Sequence, residues 1–311
     1  MRLPLLLGLA AAVLPLAGGP ALAGGDAPRG KPQRIVSLNL CADELLLRLV
    51  GPERVASVTW LARDPRGSTV AALAAAVPVN RGLAEEVVPL RPDLVLAGRY
   101  TTRTAVGLLR RLDIPLLELD VPQTVEGVAG QIRMVAQAVG EPERGEELVA
   151  GMTARLDALA ATAPERRTTT APPERRTETA APERRMATAA PERRPTAVVL
   201  RPNGFVAGSG SLVDALMTRV GLDNLADRLP LGSQGALPLE AIILGGAERL
   251  IVDAAPDAPP SLAHAMLHHP AVEALATRVR TVALPSRLWT CAGPQIADAA
   301  ELLAAAREPA P

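Results

Sequence analysis

Aromatic side chains are nearly missing from this sequence, which has two tryptophans, one tyrosine and one phenylalanine in 311 residues. A core cannot be built on them, so leucine, valine, alanine and isoleucine must supply the buried apolar area. Cysteine is scarce as well. Only Cys41 and Cys291 occur, and the absence of any CxxC spacing excludes the common thiolate metal motifs. Neither sign of charge is in excess. Lysine plus arginine and aspartate plus glutamate each number 33, which argues against a polyanion-binding surface and against nucleic acid as a partner. Beyond the N-terminal segment, no apolar run approaches the roughly 20 residues that a membrane-spanning helix needs.

The N-terminal segment indicates the compartment. Arg2 precedes an apolar run from Leu3 to Leu16, and Ala21-Leu22-Ala23 follows as a small-residue cleavage pattern. Residues 1–23 are therefore expected to be a signal peptide removed on export. The alternative, an uncleaved anchor, is opposed by the shortness of the run. No cysteine follows the leader, so a lipid anchor is not suggested. An oxidising compartment permits a disulfide without requiring one. Cys41 and Cys291 could be buried thiols, an interlobe disulfide or soft metal ligands, and unpaired thiols are the favoured expectation.

One internal repeat stands out. Pro-Glu-Arg-Arg begins at Pro164, Pro173, Pro182 and Pro191, a nine-residue period with threonine and alanine between. Proline inside a helix costs about 3 kcal/mol, and the repeat has no apolar face to bury. Residues 164–194 are thus expected to be a disordered or loosely extended connector. With the leader and the repeat set aside, 24 basic and 28 acidic residues remain, a formal charge of −4.

On either side of the repeat, short apolar runs alternate with amphipathic segments. Arg34 to Leu40, Val55 to Thr59, Asp93 to Ala97 and Leu116 to Leu119 read as strands, with helices over Cys41 to Val50 and Thr104 to Leu112. After the repeat, Ala197 to Leu200, Arg249 to Val252 and Thr281 to Leu284 read as strands, with helices over Leu212 to Val220 and Leu239 to Leu244. Pro142 to Ala161 has helix formers throughout, a first-turn proline, and Leu148, Val149, Met152, Leu156 and Leu159 near helical spacing. The expected fold is α/β: two Rossmann-like lobes with largely parallel sheets, joined by a long helix, with a ligand cleft between them. The N-terminal lobe would occupy residues 32–140, the connecting helix 141–163 and the C-terminal lobe 195–308.

In open α/β sheets, ligands bind beyond the carboxyl ends of the strands. All four aromatics fall there in this reading: Trp60, Tyr100, Phe205 and Trp289 each follow an expected strand. Arg99, Arg201 and Asn203 accompany them, and the two arginines suit carboxylate or other anionic oxygens. The competing reading makes the aromatics caps of the sheet ends and the polar groups solvated loop residues. Enzyme readings are weaker. Gly208-Ser-Gly-Ser-Leu-Val lacks the third glycine of a dinucleotide loop. His264, His268 and His269 lie in one segment without a carboxylate or cysteine placed to complete a metal site. No cofactor, resident metal or catalytic residue is expected.

Several segments taken in order resemble the periplasmic binding proteins for iron siderophores, haem and cobalamin. They are Arg34-Ile-Val-Ser-Leu-Asn, Glu85 with Leu90-Arg-Pro-Asp-Leu-Val-Leu, Gly208-Ser-Gly-Ser before Gly221-Leu-Asp-Asn, Leu239-Glu240, and His269-Pro270. The resemblance covers Arg34 to Ala306 apart from the repeat. It implies a monomeric receptor that captures an iron chelate or cobalamin and delivers it to the permease and ATPase of an ABC importer. It also implies permease docking through Glu85 and Glu240. With the strand-end reading, the expected ligand contacts are Asn39, Trp60, Arg99, Tyr100, Arg201, Phe205 and Trp289. Ferric chelates would favour the arginines, cobalamin the aromatic walls, and haem an axial ligand, with Tyr100 the candidate by location. An α/β enzyme or sensor that kept the fold without transport is the alternative.

Overall fold

A computed structural model of the chain describes residues 30–100, 103–164, 193–228, 234–236, 239–252 and 269–308. The expected signal peptide, the body of the nonapeptide repeat, His264 and His268 lie outside the described residues.

The first lobe runs β1 (Ile35–Ser37), α1 (Leu40–Leu49), β2 (Val55–Thr59), α2 (Ala71–Ala74), β3 (Val79–Asn80), α3 (Ala84–Val87), β4 (Leu94–Gly98), α4 (Arg103–Arg111), β5 (Leu116–Leu119) and α5 (Val125–Val139). Its five strands form a parallel sheet in the order β3-β2-β1-β4-β5. Every residue of β1 and β4 is buried. These strands are covered on both faces, which is why they read as unbroken apolar runs rather than alternating ones.

Two polar clamps fix the entry to this sheet. The Asp93 carboxylate accepts the backbone N–H groups of Gln33 (2.7 Å) and Arg34 (2.9 Å), anchoring the start of β1 beside β4. The largely buried guanidinium of Arg54 donates to the Pro32 and Val139 carbonyls and to Glu141. Lys31 and Arg54 together hold the Glu141 carboxyl below its usual range.

Helix α6 (Pro142–Ala161) follows α5 after a tight turn. Gly140 adopts φ 75°, a left-handed conformation that favours glycine at the end of a helix. A Cβ on Gly145 would collide with the Ala136 Cβ, so this glycine is what lets α6 approach α5 closely. Val149, Met152 and Leu156 continue the buried stripe at helical spacing.

The second lobe contains β6 (Thr196–Leu200), β7 (Phe205–Ala207), α7 (Leu212–Arg219), β8 (Asp223–Asn224), β9 (Gln234–Ala236), α8 (Leu239–Leu244), β10 (Arg249–Val252), α9 (Pro270–Ala276), β11 (Arg280–Ala283) and α10 (Ile296–Ala305). Its sheet runs β11-β10-β6-β7-β9, with β8 also paired to β6. Strands β11, β10, β6 and β8 are parallel, whereas β7 and β9 are antiparallel additions at one edge. Phe205 accordingly opens a strand rather than lying in a strand-to-helix loop.

The lobes share an apolar core. One buried cluster includes Leu45 and Ile132 of the first lobe, Met152 and Leu156 of α6, and Leu216, Met217 and Leu303 of the second. Arg155 of α6 pairs with Asp298 and Glu301 of α10, and Arg219 of α7 pairs with Asp157. The described part of the chain contains no helix long and apolar enough to cross a membrane.

The expectation of unpaired thiols is overturned. Cys41 and Cys291 form a disulfide with their Cα atoms 4.8 Å apart, joining the start of α1 to the loop after β11 in the other lobe. Both cysteines follow the carboxyl ends of parallel strands, and those ends face each other across the two lobes. A sequence separation of 250 residues hides this proximity until both sheets are assembled.

Candidate functional site

The carboxyl ends of β1, β2, β4 and β5 in one lobe, and of β6 and β11 in the other, carry the loops between which a ligand can lie. A cavity of about 160 Å³ opens there. One wall is Val121-Pro122-Gln123, the segment after β5. The opposite wall contains Arg201, after β6, together with Ser211, Trp289 and Thr290.

Arg201 and Trp289 form the clearest constellation. The guanidinium carbon of Arg201 stands 4.6 Å from the centroid of the Trp289 ring, a cation–π stack. Trp289 is only 8 % exposed and packs into the shared core. Its indole N–H has no hydrogen-bond partner among the described residues. A buried donor without a partner costs about 1–3 kcal/mol. The cavity is thus lined by a largely buried indole, the arginine stacked on it, and the polar residues Ser211 and Thr290.

The other aromatics stand apart from the cavity lining and are open to solvent: Trp60 is 55 % exposed, Tyr100 61 % and Phe205 45 %. Each sits at or next to the carboxyl end of a strand, or at the antiparallel edge beside β6. Arg99 pairs with Asp120. Asn39 caps α1, its side-chain oxygen accepting from Cys41 N (3.0 Å) and Ala42 N (3.3 Å). Asn203 adopts φ 62° in the tight turn between β6 and β7. His269 caps α9, its Nδ1 accepting from Ala271 N. Glu85 and Glu240 are both exposed, on the short helices α3 and α8.

Sequence reasoning missed the Val121-Pro122-Gln123 wall. The rule that points to strand carboxyl ends applies after β5 as after the other strands, but this segment has no aromatic or arginine to draw attention.

A buried acid lies beneath the Trp60 turn. Asp43 of α1 is fully buried and accepts the backbone N–H of Thr59 (3.1 Å) and the Thr59 hydroxyl. Burial pushes its carboxyl from 3.8 up to about 7, and the hydrogen bonds from Ser37 and Thr59 only partly oppose the shift. Thr59 immediately precedes Trp60, so this bond fixes the base of the exposed tryptophan.

Comparison with known proteins agrees with this architecture. Residues 35–173 match the model of the periplasmic binding protein family. The periplasmic haem-binding protein RhuT of Roseiflexus sp. RS-1 is 23 % identical with a TM-score of 0.62, the match covering 89 % of this chain and 99 % of that one. The periplasmic haem-binding protein HutB of Vibrio cholerae is 20 % identical with a TM-score of 0.66, covering 88 % and 98 %. The periplasmic vitamin B12-binding protein BtuF of Vibrio cholerae is 14 % identical with a TM-score of 0.61, covering 89 % and 96 %. No curated protein sequence matches the chain. At these identities the structural likeness is one of fold, and it extends over both lobes and nearly the full length of each relative.

Proposed function

We propose that this chain, which has the two-lobed fold of the periplasmic binding proteins and a first lobe that matches their family model, is the ligand-capturing component of an ABC importer. Its ligand in this reading is an iron chelate, either a siderophore or haem, or cobalamin. The observation that carries the proposal is the cavity between the lobes, where Arg201 stacks on Trp289 opposite Val121-Pro122-Gln123. Ligand pockets generally occupy about 300–1,000 Å³, so a cavity of about 160 Å³ would receive one edge of such a ligand. The remainder would lie between the exposed Trp60, Tyr100 and Phe205, with Arg99 and Asn39 nearby. Relatives of the same fold that bind haem and vitamin B12 support this ligand class. The work done is binding and delivery, with no bond of the ligand made or broken.

Titration of the exported protein with ferric haem, cyanocobalamin and ferric siderophores, followed by tryptophan fluorescence with inner-filter controls, tests the reading. Saturable quenching by one of them is expected. Loss of that quenching amplitude in Trp289→Phe but not in Trp60→Phe would place the ligand's closest approach in the cavity. No response to any of these ligands would count against the proposed class.

Delivery would use Glu85 and Glu240, one exposed carboxylate on each lobe, offered to a cationic surface of the permease. Glu85→Lys combined with Glu240→Lys should leave ligand affinity unchanged and abolish uptake into cells that depend on this receptor. Normal uptake by the double variant would remove docking from the proposal. The leader would place the receptor in the periplasm, where it would act as a monomer.

A further inference from the structure

The first turn of α1 is tied to both tryptophan-bearing loops, which belong to opposite lobes. Cys41 is bonded to Cys291, two residues after Trp289. Asp43 holds Thr59, one residue before Trp60. The helix is itself fixed: Asn39 caps it, and Ala42, Asp43, Glu44, Leu45, Leu46, Leu47 and Leu49 are buried.

Cys291 is 3 % exposed and sits within the cavity wall, flanked by the lining residues Trp289, Thr290 and Ala292. Leu288, Trp289 and Ala292 pack this wall into the shared apolar core, and short-range bonds within its own lobe add to the hold. Trp289 N and Thr290 N donate to the Ser286 carbonyl (3.1 and 2.8 Å), and the Gln295 side chain donates to the Cys291 carbonyl (2.8 Å).

The geometry points to the Cys41–Cys291 disulfide as the positioning element of the interlobe cavity. It holds the Trp289–Ala292 wall against the same helical turn that anchors the Trp60 loop, so the cleft is preset in the oxidised protein and loosens when the bond is reduced. Pre-organisation of this kind raises affinity by removing the cost of ordering the wall on binding. The effect on affinity rests on the proposed ligand-binding reading, whereas the effect on the wall does not.

The test begins with Trp60→Phe, in which Trp289 is the sole tryptophan. Acrylamide quenching is measured before and after treatment with dithiothreitol, with released thiols counted and folding followed by far-UV circular dichroism. In the reaction the S–S bond breaks and two thiols form; the two electrons and two protons come from the dithiol, which closes to its cyclic disulfide. Cys41→Ala with Cys291→Ala in the same background reaches the open state without reductant, which matters because Cys291 is buried. The quenching constant of Trp289 should rise by about twofold in both open forms with the circular dichroism unchanged. An unchanged constant in folded protein lacking the bond would overturn the inference, and so would unfolding of both open forms, which would make the bond a requirement of the fold as a whole. In proteins that retain Trp60, ferric haem should bind the double alanine variant about tenfold more weakly than the oxidised protein, through faster dissociation. Equal affinity would overturn the positioning role in binding. If neither ferric haem nor cyanocobalamin binds even the oxidised protein, the proposed function fails, and the quenching result still decides the role of the disulfide.

Discussion

Replacing Cys41 and Cys291 together by serine is expected to lower the free energy of unfolding by about 3–5 kcal/mol. The bond closes a loop across 250 residues of sequence. In the chain-entropy picture, closure of so long a loop removes about 5 kcal/mol of freedom from the unfolded chain, and engineered or native bonds often deliver less. Urea unfolding of the wild type and the double serine variant checks the figure. The variant's midpoint should fall and its m-value should rise, because its unfolded chain is no longer cross-linked and exposes more surface. A loss below about 1 kcal/mol would mean that residual structure in the unfolded chain already imposes most of the restraint the bond supplies.

The second large effect is a pH dependence centred on Asp43, whose folded carboxyl titrates at about 7 against an ordinary 3.8. Below the lower value, both folded and unfolded chains hold the proton, and the group costs nothing. As pH rises from about 4 to 7, the unfolded chain releases its proton while the folded chain retains it, so stability falls through this window. Above 7 the buried carboxylate is charged and the loss levels off. At 1.36 kcal/mol per unit, the total approaches about 4 kcal/mol. Asp43→Asn keeps an acceptor for Thr59 and does not ionise. The stability of Asp43→Asn relative to wild type should therefore grow by about 4 kcal/mol between pH 4 and pH 8. Paired denaturation curves at both pH values isolate this group, because the other carboxylates are common to both proteins. A difference that stays flat with pH would show that Asp43 titrates normally.

Much of the fold can be read from the residues themselves. Helix α6 has the expected bounds, Pro142 to Ala161, because a first-turn proline and a regular apolar stripe mark it locally. Strand β10 and helix α8 likewise begin and end where the sequence places them. The elements that escaped sequence reading did so for physical reasons. Helix α5 contains Gly127 and Gly130, which weaken its helical signal. Strands β3, β7, β8 and β9 span only two or three residues, too few to show a period, and they exist because a neighbouring strand offers an edge.

The candidate site divides in the same way. That the cavity-lining Arg201 and Trp289 lie after strands follows from the order of elements alone. That Trp289 is buried and stacked by Arg201, while Trp60, Tyr100 and Phe205 remain open to solvent, does not. The sequence by itself determined the alternation of strand and helix, the connecting helix and the strand ends that carry the cavity loops, because each depends on residues within a few turns of one another. Only the tertiary structure decided the Cys41–Cys291 bond, the Arg201–Trp289 stack and the Val121-Pro122-Gln123 wall opposite them. Those contacts join segments from about 80 to 250 residues apart, and no local propensity encodes which distant surfaces two packed sheets will bring together.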